Sequence, residues 1–296
     1  MANIKDLKKR IKSTKGTFKI TKAMKLVSAA KLSKAQSKIL GLRPYSTELE
    51  QTVKTVSALN KDYTSSYFSE DKNNKRTLYL IVSSDKGLCG SYNSSIVKMV
   101  RKLVLENSLL AEEEKENFKF AFIGKKAKDL LAKELNVSKI YTFAKADPTF
   151  EEVRKIADEL SHFFLTSEYG KVCVVYNSFQ SAISFNTTKR QLLPMVVTEA
   201  EKEKLRGSFP YDYKYEPSAG SILDTLVPEV FVTSLYTCIL DAIASEHGSR
   251  MSSMESASKN CKEMIRKLSL KMNKLRQAKI TTELTEVVSG AESLNG

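Results

Sequence analysis

The chain has 296 residues, 42% of them hydrophobic and 28% charged, with a formal net charge of +14. That apolar content suffices for one or two buried cores and excludes a disordered tail. Cys89, Cys173, Cys238 and Cys261 lie far apart with no CxxC pair, and His162 and His247 form no HExxH, which argues against a disulfide scaffold, a metal site or a metal cofactor.

Residues 3–59 place Ile4, Leu7, Ile11, Phe18, Met24 and Val27 among lysines at mostly helical spacing, which predicts a long N-terminal helix. Gly41 and Pro44 predict a bend or break within it. Met1 to Arg43 carries thirteen Lys or Arg against the single acid Asp6, so nearly all the charge excess is local. Such a stripe calls for an acidic partner: nucleic acid, anionic lipid or carboxylate-rich protein loops. The helix period from Ile4 onward argues against a transit peptide, no signal-peptide core precedes it, and no run of 18 or more apolar residues is read, so a cytosolic chain is expected.

The polar stretch to Arg76 reads as a loop. Thr77–Asp85, Phe118–Gly124, Lys139–Phe143 and Lys171–Phe179 read as strands, alternating with helical segments at 94–107, 125–135 and 150–166. Alternation of this kind implies a mostly parallel sheet in a Rossmann-like α/β domain. Residues 183–188 and 192–197 read as two further strands on an antiparallel edge. Glu199–Gly220 is a connection in which Tyr211, Tyr213 and Tyr215 share one face of an extended segment, either as an edge strand or as a protein contact surface.

From Ile222 to Val288 the chain reads as one helix, with Pro228 near a possible start. Ala257, Cys261, Met264, Leu268, Met272 and Leu275 are spaced by three and four, the period of a coiled-coil seam. Roughly sixty residues at about 1.5 Å each make a rod of about 90 Å, so this helix is expected to pair antiparallel with the N-terminal one. The domain reading is 1–60 and 220–296 as coiled-coil helices and 76–200 as the central α/β domain.

Catalytic chemistry is hard to find. Gly87 and Gly90 in SDKGLCG do not fit G-x-G-x-x-G, no G-x-x-x-x-G-K-[ST] occurs, and neither histidine has a nucleophile or carboxylate constellation in sequence. No nucleotide or other cofactor site is expected.

Three blocks carry a family resemblance over essentially the whole length. They are RIKSTKGTFKITKAMKLVSAAKLSKAQ (Arg10–Gln36), SSDKGLCGSYN (Ser83–Asn93), and ASEHGSRMSSMESASKNCKEMI (Ala244–Ile265) followed by NKLRQAKITTELTEVVSGAESL (Asn273–Leu294). The chain resembles the γ subunits of F-type rotary ATP synthases, of bacterial type. It departs at Leu26, where Met is usual, at Lys86, where Arg is common, and at Gly248, where Ala is frequent and the helix would be stiffer.

The resemblance implies a central rotor shaft without a catalytic site of its own, coupling proton-driven c-ring rotation to the catalytic β subunits. The implied partners are three α and three β subunits, ε and the membrane c-ring, at the cytoplasmic face of a bacterial plasma membrane. By position, Met24, Lys25 and Lys86 match family residues near an acidic β loop. Arg276, Gln277, Thr281 and Glu283 match residues facing a β catch loop, and Tyr213, Tyr215 and Glu216 match the base that meets ε and the c-ring. The alternative is a basic coiled coil for nucleic acid, although eleven of the thirteen N-terminal cations are Lys and Phe18 is the only aromatic there.

Overall fold

The computed structural model describes residues 3–60, 63–69, 71, 74–108, 117–144, 147–208 and 213–295. They divide into two units, Ala30–Ser249 and a second made of Met1–Ala29 with Arg250–Gly296. Two long helices, α1 (Ile4–Leu59) and α6 (Ala219–Asn295), contribute to both, and a short helix, α5 (Glu199–Ser208), occupies part of the stretch expected to be a plain connection.

The larger unit is built on a five-stranded sheet of order β3-β2-β1-β4-β5: β1 (Thr77–Val82), β2 (Phe118–Ile123), β3 (Val137–Tyr141), β4 (Lys171–Ser181) and β5 (Ser184–Leu193). The first four strands pair in parallel, and β5 runs antiparallel to β4. TLYLIV is buried at every position because β1 is central and covered on both faces. Leu78, Leu80 and Val82 point to one face, where they meet Val153, Ile156 and Leu160 of α4 (Phe150–Leu165) and Phe231, Leu235 and Ile239 of α6. Tyr79 and Ile81 point to the other, against Ile96 and Val100 of α2 (Tyr92–Ser108) and Ala127 and Leu131 of α3 (Lys125–Leu131).

Local chemistry sets the helix starts. Thr149 and Glu152 form a reciprocal capping box at the head of α4. Ser218 caps α6, its Oγ accepting from the Ser221 amide at 3.2 Å, so the helix begins three residues before Ile222 and runs through Pro228. Similarly α1 continues through Gly41 and Pro44 without the expected break; both lie on its exposed face, where water can satisfy the carbonyl that proline leaves free. The two strands expected at 183–188 and 192–197 are one strand, β5. Its polar middle, Thr187–Gln191, looked like an interruption and is the alternating pattern of a half-covered edge.

An 18-residue window of α6 reaches a mean hydropathy of 1.6, which corrects the expectation that no segment is apolar enough to cross a membrane. Here 72% of that window is buried within the protein, consistent with the α6 residues that pack on the sheet.

In the smaller unit α1 and α6 pair antiparallel. Thr14 lies against Met264, Thr21 Oγ1 accepts from Ser258 Oγ at 2.8 Å, and Lys25 pairs with Glu255. The inward positions of α1 are Ile4, Leu7, Ile11, Thr14, Phe18, Thr21, Lys25 and Ser28, alternating steps of three and four without a skip. The facing positions of α6 are Met254, Ser258, Cys261, Ile265, Leu268, Met272 and Leu275. The expected seam shifts at two α6 positions, Ser258 replacing Ala257 and Ile265 replacing Met264, and Met24 and Val27 fall outside the α1 register. Met264 is 54% exposed and Val27 57% exposed. Continuous 3-4 stepping puts Ile265 in the seam, one residue beyond Met264.

Candidate partner-binding surfaces

The basic stripe of α1 is partly spent inside the chain. Arg43 pairs with Asp241, Lys34 and Lys38 both pair with Asp147, and Lys25 pairs with Glu255. The other nine cations up to Arg43 (Lys5, Lys8, Lys9, Arg10, Lys12, Lys15, Lys19, Lys22 and Lys31) are exposed and have no ion pair among the described residues. Lys8, Lys12, Lys15 and Lys19 line a groove of about 590 Å³ floored by Ile11, Gly16 and Met272, so the charge flanks an apolar trough within the coiled-coil unit. Met24 is half-buried on α1. Lys25 is not free for a partner alone, because it already shares Glu255.

Lys86 sits in the β1–α2 loop, which is held tightly. Ser84 Oγ donates to the Lys86 carbonyl at 2.8 Å and Asn93 Nδ2 donates to Ser84 Oγ at 2.8 Å. Ser249 Oγ of α6 donates to the Cys89 carbonyl at 2.5 Å. Leu88 adopts a left-handed backbone conformation, φ 63°, with its side chain 65% exposed, a position that sequence reasoning did not single out. The amides that open α3 are occupied by the same loop: Lys126 donates to the Ser84 carbonyl at 3.0 Å and Ala127 to Ser83 Oγ at 3.3 Å. A phosphate cradle would need those donors free.

Arg276, Gln277, Thr281 and Glu283 all lie on exposed α6. The pairing register explains this: Thr14–Met264, Thr21–Ser258 and Lys25–Glu255 place Ile4 opposite about Leu275, so α1 covers nothing further along. Thr281 Oγ1 donates back to the Gln277 carbonyl at 3.0 Å and Glu283 pairs with Lys279 at 3.5 Å, whereas Arg276 has no ion pair among the described residues. Sequence reasoning missed what accompanies them. Ile280, Leu284, Val287 and Val288 share one helix face at spacings of four, three and one and are 47 to 69% exposed. That spacing was present in the sequence.

Around the start of α6, Tyr213 and Glu216 are exposed and Tyr215 is half-buried. The Tyr215 hydroxyl accepts from Asn60 Nδ2 at 3.2 Å, and its ring joins the cluster of Val53, Leu223 and Val227. Glu216 pairs with Lys214 at 3.6 Å. The described part of this segment, from Tyr213, contains no strand, so the edge-strand reading fails there; Tyr211 lies outside the described residues.

Burial pushes the Cys173 and Cys238 thiols up to about 11, which keeps both protonated at neutral pH and poorly suited to nucleophilic work.

A family model described as ATP synthase matches residues 3–294. The chain is 41% identical to the ATP synthase gamma chain of Christiangramia forsetii and 38% identical to that of Geobacter metallireducens, over 100% of both chains in each case. This chain belongs to the ATP synthase gamma-chain family. Among solved structures, a central-stalk chain of the Tetrahymena thermophila mitochondrial ATP synthase matches with a TM-score of 0.59 and 28% identity, covering 81% of this chain and 99% of that one. A chain of the Euglena gracilis mitochondrial ATP synthase matches in fold, with a TM-score of 0.69 at 18% identity over 98% of this chain and 94% of that one. The function that goes with the gamma-chain family is that of the rotor shaft. The nucleic-acid-binding alternative has no support among these matches.

Proposed function

We propose that the chain works as the rotating shaft of an F-type ATP synthase, with three α and three β subunits around its coiled coil and the ε subunit and c-ring against its central unit. In this reading residues 1–60 and 220–296 are the shaft helices and 76–200 the base. The complex sits on the cytoplasmic face of a bacterial plasma membrane, and the chain itself hydrolyses no ATP.

The single observation that carries the reading is the uncovered stretch of α6 beyond Leu275. An apolar face of four side chains beside an unpaired arginine is costly in water and suited to a protein sleeve. Inside such a sleeve Arg276 takes an acidic β partner, with Gln277, Thr281 and Glu283 completing the contact. The nine unpaired cations on α1 supply a salt-screened attraction for an acidic β loop, joined by Met24, Lys25 and Lys86. Tyr213, Tyr215 and Glu216 are assigned to the contact with ε and the c-ring. A helix pair presenting different residues around its axis contacts each of three β subunits differently, so turning it changes their binding states in sequence.

Co-expression of this chain with α, β and ε from one source tests the assignment. A tagged β subunit that purifies with this chain and ε supports it, and its purification without this chain refutes it.

A further inference from the structure

A second kind of site lies in the central unit, apart from the proposed coiled-coil contacts and beside the cluster that holds Tyr215. Residues of α1, β5, α6 and the stretch after β5 line a cavity of about 480 Å³, within the roughly 300–1,000 Å³ of small-molecule sites. Its floor is apolar: Val53, Val230 and Phe231 are almost completely buried. Phe68 and Met195 also line it, and the Met195 amide is tied to the Tyr67 carbonyl at 2.8 Å.

Its polar side is made of three charges. Glu50 accepts from Arg190 Nη2 at 2.9 Å and from Lys54 Nζ at 3.0 Å. Two cations therefore share one carboxylate, and the lining carries one positive charge in excess. Unfilled space beside buried apolar side chains forfeits dispersion contacts, and an anion near Lys54 and Arg190 gains charge-assisted hydrogen bonds. One ligand chemistry answers both features.

We propose that this cavity binds a small amphipathic monoanion, a medium-chain carboxylate, whose head group lies on Lys54 and Arg190 and whose apolar body lies against Val53, Phe68 and Phe231. Because α1 supplies Lys54 and Val53 while α6 supplies Phe231 and Ser234, an occupied site links the two helices within the central unit.

The chain has no tryptophan, so Phe68→Trp places a single fluorescent reporter at the cavity. Octanoate is titrated into the full chain, with 1-octanol as the uncharged control. The expected result is saturable 1:1 binding of octanoate, at least about tenfold tighter than 1-octanol, with that margin lost in Lys54→Gln and both ligands excluded by the cavity-filling Ser234→Leu. Absence of saturable binding, equal affinity for the two ligands, or octanoate binding unaltered by either substitution overturns the proposal. Calorimetry on the unsubstituted chain repeats the octanoate and 1-octanol comparison, so it decides the matter even if a variant loses its fold.

Discussion

The Asp241 carboxylate on α6, 6% exposed, accepts from Arg43 Nη2 on α1 at 2.7 Å. Burial pushes its pKa up, and Arg43 together with Ser178 Oγ at 3.4 Å holds back part of that rise. Removing the arginine strands a buried acid. Arg43→Ala is expected to cost about 1–3 kcal/mol, less than the roughly 3–5 of a fully buried pair because Arg43 is half-exposed. A carboxyl raised in the folded state favours folding below its unfolded pKa of about 3.9, and that contribution is lost as pH rises through the folded value. Denaturant titrations should therefore show the Arg43→Ala deficit largest at neutral pH, shrinking as pH falls through the raised folded value and gone by about pH 4. Asp241→Asn in the same chain should restore part of it.

Asp147 behaves in the opposite sense. Burial pushes its carboxyl up, but hydrogen bonds from Lys34 and Lys38 outweigh burial and hold it below the usual range. A depressed carboxyl contributes stability above its unfolded pKa and loses it as pH falls through the folded one. Asp147→Asn should lower the melting temperature at pH 7 and at low salt. The difference from the unsubstituted chain should fade as pH falls below about 3.9 and through the lowered folded value, and shrink with added salt.

The position of the seam gives a third expectation. Ile265 is half-buried in step with the seam, while Met264, its neighbour, is 54% exposed although its sulfur lies against Thr14. Ile265→Ala should cost about 1–3 kcal/mol, below the upper end for a fully buried site, and Met264→Ala well under 1 kcal/mol. Equal losses measured by thermal melting would return Met264 to the seam.

Arg276 and Gln277 lie past the end of α1, so they have nothing to stabilise in the free chain. Arg276→Ala with Gln277→Ala should leave helicity and melting within about 0.5 kcal/mol of the starting chain. Assembly with α and β, or ATP-driven torque, should weaken. A stability loss in the free chain with normal assembly would place both residues in the coiled coil.

Much of this molecule was legible from pattern. The 3-4 spacing of α1 and α6 and the apolar runs of β1, β2 and β4 are local signals, and they led to the right elements. Errors arose where a tertiary contact decided the outcome. Nothing local distinguishes Met264 from Ile265, since both are apolar and adjacent; burial separates them, Ile265 half-buried and Met264 touching Thr14 from the rim while 54% exposed. Gly248 looked like a softening of the helix, yet a Cβ there would come within 2.9 Å of the Ala182 carbonyl, so its glycine lets the β4–β5 turn approach α6. The basic stripe was read as calling for an acidic partner outside the chain, and part of it instead finds Asp147 and Asp241, more than a hundred residues away from their lysine and arginine partners in sequence. The apolar face at Ile280–Val288 was visible, but only the end of α1 reveals that it lies uncovered.

ATP-driven rotation tests the shaft assignment most directly. The chain is assembled with α and β subunits on a surface, a bead is fixed to its central unit, and ATP is added. The account predicts unidirectional turning of the bead while ATP is hydrolysed, and loss of torque in the Arg276→Ala, Gln277→Ala variant. Steady hydrolysis by an assembled complex in which this chain does not turn would contradict it.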